Sequence, residues 1–110
     1  MEQQKMLQII AKDANVEPKQ AQAVIRLLEE GNTVPFIARY RKEVTGSLDE
    51  VQIKAVEDRY HYIQQLETRK EEVLRLIDEQ GKLTEELQTS IHAATVLQRL
   101  EDLYRPYKQK

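Results

Sequence analysis

Apolar residues recur along this chain at three- and four-residue steps, the spacing of one face of an α-helix. Leu7, Ile10, Ala11 and Ala14 mark a first helix that ends at Asn15. Ala21, Val24, Ile25 and Leu28 mark a second, with Pro18 in its first turn and Gly31 at a left-handed stop. The link from Asn15 to Glu17 is short, so residues 1–30 form a tight αα-hairpin with the outline of a helix-turn-helix. Residues 33–48 read as a structural joint. Thr33 caps a short helix that ends near Lys42 or Glu43, Pro35 lies in its first turn, and Phe36, Ile37 and Tyr40 form its buried face. Gly46 allows a turn, and Ser47 with Glu50 has the S-x-x-E form of a capping box that starts the next helix.

That next helix is the longest element. No Gly or Pro interrupts residues 49–80, and Gly81 terminates them, giving a span of about 48 Å at 1.5 Å per residue. Val51, Ala55, Val56, Tyr60, Ile63 and Leu66 form one apolar stripe, and Val73, Leu74 and Ile77 form another. Between them lies the polar run Glu67-Thr68-Arg69-Lys70-Glu71-Glu72, which predicts a helix bridging two packing regions across a solvated middle. Two further helices occupy residues 84–105: Thr84 caps one that carries Leu87, Ile91 and Ala94, and Thr95 caps one that carries Val96, Leu97, Leu100, Leu103 and Tyr104. Pro106 ends the fold at Arg105, leaving a basic tail that looks cut. The fold class is all-α.

Composition adds limits. The 110 residues are 40% apolar and 33% charged, enough for one domain with a modest core. β-Branched residues are scattered, Gly and Pro are few, and the common residues favour helix. With no Cys there is no disulfide, thiolate metal site or Cys nucleophile, and no apolar run is long enough to cross a membrane, so a cytoplasmic location is expected. The net charge of −2 is far from the basic balance usual in a free-standing nucleic-acid binder. No triad, Gly-rich phosphate loop or paired carboxylate marks a catalytic centre, and His61 and His92 have no specific ligand partners, so neither enzyme activity, a metal nor another cofactor is expected.

Candidate nucleic-acid contacts are Lys19, Gln22 and Arg26 on the second helix, with Arg39, Arg41 and Lys42 in the joint. For Arg39, Arg41 and Lys42 the bland alternative is local ion pairing with Glu43, Asp49 and Glu50 while their stems cover apolar surface. The joint residues Pro35, Phe36, Ile37, Tyr40, Gly46, Ser47 and Glu50 read as structural, with Phe36 in the core.

The stretches "TVPFIARYRKEVTGSLDE" (33–50) and "LEDLYRPYKQK" (100–110) resemble two signature segments of the N-terminal region of the Tex family, bacterial transcription accessory proteins. Arg105 and Gln109 depart from the family pattern, which commonly has an apolar residue and a second proline there. The resemblance implies a piece of a larger protein: an all-helical N-terminal part, followed in the family by an RNase H-like domain, helix-hairpin-helix elements and an OB-fold domain that carries most nucleic-acid binding. It implies a non-enzymatic scaffold and interaction role here, with the remaining domains as partners, RNA or DNA bound by the parent protein, and the transcription machinery as a further partner. The alternative reading is a DNA- or RNA-binding helix-turn-helix module in its own right. As a detached segment, the chain is expected to self-associate through Val73, Leu74 and Ile77 or by exchange of terminal helices.

Overall fold

A computed structural model describes residues 3–108, and these form seven α-helices and one closing 3-10 turn, with no strand among them. The helices are α1 (Gln3–Ala14), α2 (Pro18–Glu29), α3 (Val34–Tyr40), α4 (Lys42–Thr45), α5 (Glu50–Glu79), α6 (Glu85–Ala93) and α7 (Leu97–Tyr104), and the turn is Arg105–Tyr107. The all-α class follows directly from the helical spacing of the apolar residues. Gln109 and Lys110 of the basic tail lie outside the described residues.

The chain divides between Tyr62 and Ile63 into two compact units. In the first, α1 packs against α2, with Leu7, Ile10, Ala11 and Ala14 on one side and Ala21, Val24, Ile25 and Leu27 on the other. Asn15 breaks the chain by taking a left-handed conformation (φ 58°), which its short polar side chain tolerates. Glu17 and Gln20 begin α2: the Glu17 N–H donates to Gln20 Oε1 at 2.9 Å. Two contacts tie α5 to the earlier helices, the Tyr60 hydroxyl to Glu29 at 2.9 Å and Arg59 to Asp13 at 3.0 Å.

In the second unit, Leu66, Val73, Ile77, Ile91, Ala94, Leu100 and Tyr104 form a buried cluster, with Leu74, Leu87, Leu97, Leu103 and Tyr107 packed against it. Two expectations change here. Val73 and Ile77 are enclosed by α6 and α7, so they offer no surface for self-association. The fold also continues past Arg105, because the Pro106 turn places the Tyr107 carbonyl 2.7 Å from the Gln80 amide and its ring against the cluster.

The stripe on α5 is corrected too. Val51 is 78% exposed, whereas Ile53, absent from the expected stripe, is fully buried with Val56. The polar run is not a solvated middle. It lies within the second unit, and Lys70 stands in the line Leu66, Lys70, Val73, Ile77 at a spacing of four, three and four, with only 1% of it exposed.

Candidate functional site

The joint begins where α2 stops. Gly31 is left-handed (φ 94°), and the Asn32 side-chain amide donates to the Leu27 carbonyl at 2.8 Å, satisfying one of the carbonyls a helix end leaves open. Thr33 caps α3 as expected, accepting from the Phe36 N–H at 3.3 Å, with Val34 and Ile37 turned inward. The helix then breaks at Arg41 (φ −126°, ψ 32°), and a further turn, α4, follows. The sequence expected one helix ending near Lys42 or Glu43, and no Gly or Pro marks this break.

Gly46 and Ser47 are both left-handed, with φ of 74° and 66°. This corrects the expected cap. Ser47 does not cap α5; Asp49 does, accepting from the Gln52 N–H at 2.8 Å while the Asp49 N–H donates to Gln52 Oε1 at 3.2 Å. The capping box is thus D-x-x-Q, two residues later than S-x-x-E, and Glu50 stands in the first helical turn. Two residues hold the turn that sequence reasoning missed. Thr45 is fully buried and accepts from the Leu48 N–H at 3.4 Å, and Gln20 of α2 donates to the Thr45 carbonyl at 3.1 Å. The left-handed conformation favours glycine at 46, and a Cβ there would come within 2.8 Å of the Gln20 amide and push it off the Thr45 carbonyl.

Phe36 and Tyr40 do not form a buried face. They are 37% and 52% exposed, and only Ile37 of the expected trio is in the core. The physical reason is helical phase: residues 34 and 37 share the inward side of this two-turn helix, which directs 36 and 40 together to the outside. Their rings lie 5.1 Å apart, tilted by 48°. The Arg41 guanidinium stands 5.3 Å from the Phe36 ring and that of Arg39 5.4 Å from the Tyr40 ring. Among the described residues, Arg39, Arg41 and Lys42 make no ion pair, so the expected pairing with Glu43, Asp49 and Glu50 does not form. Beside this face, Val34, Pro35 and Val51 line a shallow groove of about 740 Å³ rimmed by Glu50, Lys54 and Glu57.

The other candidates are placed separately. Lys19, Gln22 and Arg26 are exposed on α2, and Lys19 and Gln22 border a polar groove against the start of α1. The polar run of α5 is a clamp. Arg69 grips Glu101 of α7 through two bonds of 2.7 and 3.2 Å, bonds Glu72 at 2.8 Å and lies 5.3 Å from the Tyr104 ring. The Arg69 hydrogen bond holds the Glu101 carboxyl below its ordinary range, against the opposing effect of burial. The Lys70 ammonium donates to the His92 carbonyl at 2.8 Å, in the last turn of α6, where helix carbonyls lack internal partners. Among the described residues, no three His, Asp or Glu side chains gather as a metal-binding group, and no helix is long and apolar enough to cross a membrane.

These features define an all-α protein of two helical units with an aromatic and basic face at the joint between α3 and α5. The chain belongs to the Tex family: residues 4–78 match the model of the Tex-like protein N-terminal domain. It is 62% identical over 103 residues to the Bacillus subtilis protein YdcI, covering 94% of this chain and 14% of that protein. It is 49% identical over 102 residues to the transcriptional accessory protein Tex of Neisseria gonorrhoeae, covering 93% and 14%. It is 30% identical over 103 residues to the human S1 RNA-binding domain-containing protein 1, covering 94% and 10%. The chain therefore spans about one seventh of the length of the first two relatives.

Proposed function

We propose that this chain is a non-enzymatic interaction and scaffold module of a Tex-like transcription accessory protein, in which most nucleic-acid affinity resides in domains outside these residues. The observation that carries this reading is the disposition of charge. The cations of α5 are largely held in pairs, Lys54 with Glu57 and Asp58, Arg59 with Asp13, Arg69 with Glu72 and Glu101, and Arg75 with Glu79, so no continuous basic track runs along the longest element. The net charge of −2 points the same way. A direct DNA-reading role for α2 is the weaker reading, because Lys19, Gln22 and Arg26 are followed by the exposed acids Glu29 and Glu30.

The groove of Val34, Pro35 and Val51 is the docking surface this reading requires, and the remaining domains of the parent protein are its occupant. The match to only one seventh of the relatives' length supports that choice. The test mixes this chain with a form of the Bacillus relative that lacks the matching region and follows association by calorimetry. Binding in trans that Val51→Glu weakens at least tenfold is expected. No association at protein concentrations of about 100 μM would overturn the scaffold reading.

A further inference from the structure

Four of the five large apolar side chains that stand exposed among the described residues, Phe36, Tyr40, Val44 and Val51, fall within sixteen residues of the joint. Two are aromatic, on one side of α3 with rings 5.1 Å apart. Both guanidinium groups that flank them lie within cation–π range of a ring, 5.3 and 5.4 Å from its centroid. With Lys42 they form a run of three cations in four residues that make no ion pair among the described residues, on a chain that pairs most of the cations along α5. Glu43 is the acid nearest in sequence and bounds the run on its C-terminal side.

We infer that this face of α3 is a contact site for single-stranded nucleic acid, in which Phe36 and Tyr40 stack unpaired bases and Arg39, Arg41 and Lys42 hold the adjoining phosphates. An exposed aromatic ring stacks any base, because every base has a π-face, and a flanking arginine adds both a cation and a second planar surface. Duplex nucleic acid hides those faces, so the chemistry selects single strands. A protein partner would also use Phe, Tyr and Arg, but the unpaired positive run calls for regularly spaced anions, which a phosphate backbone supplies. The site is a weak auxiliary one. Three phosphate contacts give a slope of about −2 in log K against log salt, so affinity falls about 60-fold between 20 and 150 mM.

Fluorescence anisotropy of a labelled twelve-nucleotide oligouridine, titrated with the full chain at 20, 50 and 150 mM salt, tests this. Saturable binding at 20 mM with a slope near −2 is expected. Phe36→Leu with Tyr40→Leu keeps apolar bulk while removing both rings, and should weaken binding about tenfold or more with the slope unchanged. Arg39→Gln with Arg41→Gln and Lys42→Gln should flatten the slope. Circular dichroism confirms that each variant is folded, and a variant that unfolds is replaced by its single-residue forms. No binding at 20 mM, or binding that the ring variant leaves unchanged, overturns the site. So does loss only on changing Lys19 and Arg26, which would move the contact to α2. A duplex binding more tightly than oligouridine overturns the assignment to single strands. The trans-association experiment is read through Val51 and reports on the scaffold role independently of this result.

Discussion

The joint and the polar run of α5 are both rich in Arg and Lys, and they use them in opposite ways. In the run, Arg69 and Lys70 are consumed by the fold: one bridges to α7, the other enters the core and caps α6. In the joint, Arg39, Arg41 and Lys42 make no ion pair among the described residues, while the apolar rings beside them face outward. The difference lies in what each cation has to satisfy. The last carbonyls of α6 need a donor, and a long flexible stem reaching across a packed face supplies one. The short α3 has its Tyr40 carbonyl met by Arg41 at 3.3 Å and demands nothing of its other cations. Charge is structural where a neighbouring backbone end requires it and available for ligands where none does.

The sharpest way to break this contrast is to remove Lys70. Lys70→Ala takes away a buried stem and leaves the His92 carbonyl without its donor, and should cost about 2–4 kcal/mol. Lys70→Met keeps the stem and should recover about half of that. Chemical denaturation checks both, and a loss below about 0.5 kcal/mol for the alanine variant would show the ammonium to be incidental.

The joint should respond less. If Phe36 were a core residue, alanine there would cost about 3–5 kcal/mol. With its ring partly open to solvent, Phe36→Ala should cost about 1 kcal/mol, and the more exposed Tyr40→Ala about 0.5 kcal/mol. Denaturation midpoints of the two variants measure this. A larger loss for Tyr40 than for Lys70 would reverse the roles assigned to the two regions.

Helical phase was legible wherever an element was long and its apolar positions numerous, as in α1, α2 and the C-terminal part of α5. Gly31, Gly46 and Gly81 marked stops because only a residue without Cβ takes φ near 70–95° freely. The short α3 was misread because two turns carry too few apolar residues to set a phase, and Phe36 and Tyr40 looked apolar enough to define the inward side. The cap of α5 shifted because Ser47 belongs to the left-handed turn that follows Gly46, and Asp49 occupies the helix start. The buried Lys70 was hidden by its chemistry. Its spacing with Leu66, Val73 and Ile77 was in the sequence, but a lysine at a core position reads as a break until the carbonyl it satisfies is in place.

The smallest effect concerns pH, and it separates the two regions by titration. The Glu101 carboxyl is held below its ordinary range chiefly by the hydrogen bond from Arg69. A carboxylate whose folded pKa is depressed contributes stability above its unfolded value, near 4.3, and that contribution is lost as pH falls through the folded pKa. Glu101 is partly open to solvent, so Glu101→Gln should cost only about 0.5 kcal/mol at neutral pH. The gap between this variant and the parent should hold steady from about pH 8 to pH 5 and close below about pH 4, where the parent loses the same interaction. Phe36→Ala, in which no carboxylate is removed, should keep its own gap across that range. Thermal melts of the three proteins at matched ionic strength make the comparison. A Glu101 gap that persists to pH 3 would mean that the clamp acts through packing against Tyr104 and α7, and that its charges are as dispensable to the fold as those of the joint.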